Sequence, residues 1–214
     1  MPFYAALGRA FVGMCFFIPV LFAIEFVDRR LNHRLDELGG IKPHHLDGLD
    51  GIIFAPFLHA SFEHLYGNAV PLIITGTFVL AVGFGRFLGI TALVAVVSGV
   101  GTWFTGSPNS VVVGASGVIF GYLGYLLARG IVERSLWGIA VGLVVGLLYG
   151  TQIVLLLPTD ERISWQAHLF GFVGGVVAAV AFRRKRPAAP GAATTAAGAV
   201  PPSGAATDGP DGAE

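Results

Sequence analysis

The chain has 214 residues and no net formal charge; 54% of its residues are hydrophobic, 12% are charged, and its mean hydropathy is +0.74. A water-soluble domain carries about twice that charged fraction, so the composition excludes a soluble globular protein and points to an integral membrane protein. The neutral balance gives no electrostatic ground for a nucleic-acid partner, and a single cysteine, Cys15, leaves no internal disulfide and argues against a cysteine-based metal site.

A helical span needs about 20 apolar residues, and six segments qualify once polar interruptions are allowed. The first runs from Tyr4 to Val27. Only Arg9 stands before its apolar centre and no small-residue cleavage site follows, so it is expected to be a retained span and not a signal peptide. A polar loop, Asp28 to Asp50, leads to a second span from Phe57 to Val82 and a third from Phe87 to Phe104. The fourth, Ala115 to Arg129, is short, with Val111-Val112-Val113 leading into it below the membrane surface. Short spans mark backbone that lines a cavity. The fifth, Leu136 to Leu157, carries Gly138, Gly142, Gly146 and Gly150 at four-residue spacing, a seam for helix packing. The sixth runs from Trp165 to Phe182. The expected fold is an all-α polytopic bundle of six transmembrane helices over residues 1–182. Residues 183–214, a basic run followed by Ala, Gly and Pro, cannot bury enough apolar surface to offset their ordering entropy and are expected to be a disordered tail.

Lys and Arg near span ends set orientation. Six spans put both termini on one side, and that side carries Arg9, Arg86, Arg129, Arg134, Arg183, Arg184, Lys185 and Arg186. The other side carries Arg29, Arg30, Arg34, Lys42 and Arg162. The balance predicts a cell-membrane protein with both termini in the cytoplasm.

Ionisable and amide groups at membrane depth are costly and mark function. His64 and Asn68 are four apart and share one face of a helix, so both can donate hydrogen bonds toward one point, as a developing oxyanion requires. Polar glue between helices is the competing explanation. His59, five before His64, is expected to lie nearly in line with it on that helix. His168 shares a face with Gly171 and Gly175, and Ser116 stands just before Gly117 and Gly121. Packing these two small-residue stripes would bring Ser116 and His168 within hydrogen-bond reach, the arrangement of a nucleophile and its base. Phe120, one turn after Ser116, could stack on the imidazole. No carboxylate accompanies His168 within a span: Glu25 and Glu63 belong elsewhere, and Asp160 and Glu161 are in a loop. The unit is therefore a dyad, with His168 oriented by packing.

These motifs together resemble the rhomboid family of intramembrane serine proteases. G-A-S-G at 114–117 is similar to the family's G-x-S-G, H-A-S-F-E-H-L-Y-G-N at 59–68 to its second-span histidines and asparagine, and A-H-L-F-G-F-V-G-G at 167–175 to its A-H-x-x-G-x-x-x-G. G-Y-L-L-A-R-G at 124–130 resembles the close of the fourth span. The resemblance covers residues 51–182. It implies a six-span serine endopeptidase with Ser116 as nucleophile and His168 as base and then acid. His64, Asn68 and the Ser116 N–H would be oxyanion donors, with Gly114 in the nucleophile motif and His59 supporting the first loop. It implies substrates that are single-span membrane proteins cut near the outer face of the bilayer, and no metal or cofactor.

Two departures stand out. Asp50-Gly51-Ile52 occupies the stretch where rhomboids commonly carry a Trp-Arg pair, so the first loop must be anchored differently. Phe120 stands where the family often has Tyr, keeping the ring and losing the hydroxyl. The alternative from another class is a non-proteolytic relative that binds or escorts membrane proteins, which typically lacks the Ser or the His. A proton-coupled transporter would need an intramembrane carboxylate beside His168.

Overall fold

A computed structural model describes residues 3–149, 155–157 and 164–183. Among these residues the fold is entirely helical, with no strand beyond one isolated antiparallel bridge between Ile41 and Val112. The helices are α1 (Phe3–Arg30), α2 (Arg34–Gly39), α3 (Gly51–Phe54), α4 (Phe62–Leu80), α5 (Phe84–Thr105), α6 (Ser116–Val132), α7 (Leu136–Tyr149) and α8 (Trp165–Ala181). By length and apolarity α1 and α5 can each cross a membrane, while α6, α7 and α8 are apolar but shorter. Large apolar side chains face outward all round the described helices, Phe16, Val70, Leu136, Leu147 and Val180 among them. That is the reverse of a water-facing surface and suits lipid contact.

α6 is the centre. Val118 through Leu126 are all buried, so the helix is enclosed on every side, as an all-round apolar helix must be. It packs against α8, α7, α5 and α4, and α1 closes the outside of α4. The tightest seam is between α6 and α8. A Cβ at Gly171 or Gly175 would overlap the carbonyl oxygen of Gly117 or Gly121 respectively, so the two small-residue stripes meet backbone to backbone as expected. Gly138 and Gly142 of α7 sit against the backbones of Gly130 and Leu126 in the same way. Gly150, the last of that expected seam, lies outside the described residues. A Thr91–Tyr122 hydroxyl hydrogen bond of 2.7 Å ties α5 to α6.

Several boundaries differ from expectation, among them α1, which runs on to Arg30, and α5, which starts at Phe84. α4 starts at Phe62 and not at Phe57, because Ser61 in extended conformation caps it by accepting the His64 N–H at 3.1 Å. His59 therefore lies before the helix and shares no helical face with His64. α7, the expected fifth span, is described as helix up to Tyr149, and α6 continues to Val132, past Arg129. The basic-then-Ala/Gly/Pro tail lies outside the described residues apart from Arg183.

The first loop is anchored without a Trp-Arg pair. Ile41 and Val112 exchange two backbone hydrogen bonds of 2.9 Å. The Trp103 indole N–H donates to the His45 carbonyl at 2.8 Å, and the His44 ring donates through Nε2 to the Gly106 carbonyl at 3.1 Å. Gly51 stands where the Trp-Arg pair is expected because the Gly40–Ile41 backbone crosses there: a Cβ would lie 2.5 Å from it. Nearer α1, Leu35 N–H donates to Asp28 Oδ1 at 2.6 Å. Burial, then the charge of Asp28, pushes the Asp36 carboxyl up to about 7.

Candidate active site

Ser116 is the first residue of α6, held at the end of a turn whose Gly114 has φ +123°. A side chain at 114 would be strained by that φ and would also strike the His64 ring, with Cε1 at 2.7 Å and Nε2 at 2.9 Å. The Gly114 N–H donates to the Ala55 carbonyl at 2.9 Å. No side chain caps α6, so the positive end of the helix opens beside the Ser116 hydroxyl.

His168 is buried on α8, and its Nε2 lies 2.9 Å from Ser116 Oγ. Its Nδ1 lies 3.0 Å from the Leu155 carbonyl oxygen. A carbonyl can only accept, so Nδ1 carries the proton and Nε2 is left as the acceptor for the serine O–H. Phe120 stacks on the imidazole, with ring centroids 4.3 Å apart and planes at 18°. The expectation that packing alone orients His168 is thus incomplete: a backbone carbonyl fixes its tautomer. That carbonyl has no residue-type signature in a sequence.

His64 and Asn68 face the same turn from α4. Asn68 Nδ2 is buried and has no hydrogen-bond partner, and it would lie 3.7 Å from a Cβ on Gly114. His59, 1% exposed, reaches its place from the segment before α4, its ring centroid 5.2 Å from that of His64 and edge-on to it. Its Nε2 accepts the Ala115 N–H at 3.4 Å. It therefore supports the loop that carries Ser116, whereas the resemblance assigned it to the first loop.

Ser98 of α5 is a contributor that sequence reasoning missed. Its hydroxyl donates to the Ala167 carbonyl at 2.8 Å, next to His168, and it packs on Gly117. In the sequence Ser98 is one of several hydroxyl residues in its span, with Thr91 and Thr102, and nothing in its spacing sets it apart.

Ser116, His168, His64, Asn68, Phe120 and Ser98 border a cavity of about 1240 Å³ that also reaches Gly67, Pro71 and Thr75, spaced four apart on one face of α4. It is large enough for an extended peptide segment, and its chemistry is that of a hydroxyl paired with a neutral imidazole beside free N–H donors. That set can attack a carbonyl and hold the resulting charge.

Comparison with known proteins identifies the family. Residues 48–185 match the Rhomboid domain. An uncharacterised protein of Mycobacterium tuberculosis is 42% identical over 171 residues, covering 76% of this chain and 71% of the relative. One from Mycobacterium leprae is 39% identical over 171 residues, covering 76% and 67%. A Bacillus subtilis protein provisionally named a rhomboid protease is 33% identical over 119 residues, covering 55% and 59%. With its helical membrane architecture and a domain match over most of its length, the chain belongs to the rhomboid family.

Proposed function

We propose that the protein is an intramembrane serine endopeptidase that cleaves transmembrane segments near the outer face of the bilayer. The observation that carries the reading is the Ser116–His168 hydrogen bond, with His168 Nδ1 bonded to the Leu155 carbonyl. Family membership and the provisional name of the Bacillus relative support the same reaction class.

In this reading Ser116 Oγ attacks the scissile carbonyl as its proton passes to His168 Nε2. The tetrahedral oxyanion takes hydrogen bonds from the Ser116 N–H, His64 and Asn68 Nδ2. His168 then protonates the leaving amine, the C–N bond breaks, and water activated by the same nitrogen hydrolyses the acyl-serine. Gly114, Gly117, Gly121, Gly171 and Gly175 act by letting backbones close around the dyad, and Phe120 and His59 by positioning. The cavity supplies the water that the hydrocarbon excludes.

The topology that goes with this places six spans in residues 1–182, α4 and the shorter α6, α7 and α8 included, with both termini and the 183–214 tail in the cytoplasm. The distribution of Lys and Arg supports that orientation. Substrates are single-span membrane proteins, with the bilayer as the other partner.

The test is reconstitution in liposomes with a single-span substrate. Cleavage by the wild type that falls to background in Ser116→Ala is the expected result. A substrate that is retained but never cut, by wild type and Ser116→Ala alike, would instead identify a protein that escorts membrane clients.

A further inference from the structure

Away from the dyad, the end of α1 and the start of α2 bring together three groups that the proposed reaction does not use. Asp28, His33 and Asp36 each present one ligand atom, and all three atoms lie within 4.8 Å of one another. Asp28 is 1% exposed and Asp36 8%. The chain reverses after α1 through Asn32 and His33, both left-handed at φ 55° and 60°, and this reversal swings the imidazole back over Asp28.

The bonding in this cluster is unfinished. Asp28 uses Oδ1 to accept the Leu35 N–H at 2.6 Å, while its buried Oδ2 has no hydrogen-bond partner and faces His33. His33 Nδ1 and Asp36 Oδ1 are likewise buried and without hydrogen-bond partners. His33 Nδ1 stands 3.7 Å from Asp28 Oδ2 and 3.4 Å from Asp36 Oδ2. Both distances exceed the roughly 2.7–3.2 Å of a good N–H···O bond. They do match the edge of a tetrahedron of ligands about 2.1 Å from a shared ion, which is about 3.4 Å. Glu25, one turn earlier on α1 and 1% exposed, also has both carboxylate oxygens without partners, and it lies within electrostatic reach of Asp28 and His33. Buried carboxylates in this state are normally paired or coordinate a metal.

We propose that Asp28, His33 and Asp36 bind a divalent transition-metal ion, with zinc the best fit. Mixed imidazole and carboxylate donors suit Zn²⁺ and its first-row neighbours, whereas Ca²⁺ and Mg²⁺ prefer oxygen alone. The Leu35 N–H orients Asp28 as an outer-shell donor orients a ligand. The half-exposed His33 side chain leaves an entry path from water, and water completes the shell. The role is structural. The Asp36 carbonyl accepts the Gly40 N–H at 2.9 Å, and the next residue, Ile41, pairs with Val112, two residues before Gly114. An ion here clamps α2 to α1 and stiffens the loop that leads into Ser116. This inference does not depend on the proteolytic reading.

The experiment uses the full chain in detergent, stripped with a chelator and titrated with Zn²⁺. Bound metal is counted after equilibrium dialysis, Tm is recorded, and Co²⁺ serves as a visible-absorption probe. The wild type should bind one equivalent and gain roughly 5 °C in Tm at saturating metal. His33→Gln, at a half-exposed position, and Asp36→Asn should lose both effects and the Co²⁺ bands. A double His64→Gln/His168→Gln variant should keep them, which separates this site from the histidines around Ser116. Absence of stoichiometric binding by the wild type, or full binding by His33→Gln, would overturn the proposal.

Discussion

Gly171 and Gly117 touch backbone to backbone: a Cβ on the first would overlap the carbonyl oxygen of the second. This contact lies one turn from His168 and one residue from Ser116, so it sets the distance across which they meet. Gly171→Val is expected to push α8 off α6, cost about 1–3 kcal/mol as overpacking does, and cut cleavage at least tenfold. Gly67→Ala is the control, because a Cβ there meets nothing within 4 Å. Thermal unfolding in detergent and a cleavage assay check both.

Asn68 Nδ2 is a buried donor with no partner in the resting protein. Polar glue between helices would be bonded already. Asn68→Ala should therefore leave Tm nearly unchanged while lowering kcat by about 10²–10³, the usual loss for one oxyanion donor. A large fall in Tm with a modest fall in kcat would instead assign it to helix packing.

His59 acts through Ala115, and its loss leaves a buried N–H without an acceptor, at a cost of about 1–3 kcal/mol. His59→Leu should slow kcat with little change in KM. His59→Gln, whose side-chain oxygen can accept the same N–H, should recover much of the rate. Steady-state kinetics of the two variants decide the matter.

Gly67 lines the cavity one residue before Asn68. Gly67→Phe is expected to hinder entry of a transmembrane substrate while leaving reaction with a small serine probe intact. Turnover of the large substrate at the wild-type rate would remove Gly67 from the entry path.

The helical fold and the convergence on Ser116 were legible in the sequence because both rest on periodicity. Gly117 and Gly121 against Gly171 and Gly175 form a pattern that only close helices explain, and His64 and Asn68 are one turn apart. His59 was misplaced because the apolar run from Phe57 was read as continuous helix. The counter-signal was present in Ser61, a good N-cap with Glu63 in the first turn. The Leu155 carbonyl and the Ile41–Val112 pairing could not be read, since backbone groups carry no residue identity and long-range loop contacts have no period. Ser98 was visible only as one more small residue. Gly51 needed the fold to be understood, because the reason for it is the Gly40–Ile41 backbone that crosses it.

The dyad itself is tested most directly by fluorophosphonate labelling of the detergent-solubilised protein. The probe needs an activated serine but no particular substrate. Wild type should label covalently at Ser116, and Ser116→Ala and His168→Ala should each fall to background with Tm close to that of the wild type. Labelling of Ser116→Ala at the wild-type level, or of His168→Ala undiminished, would contradict the assignment of nucleophile and base.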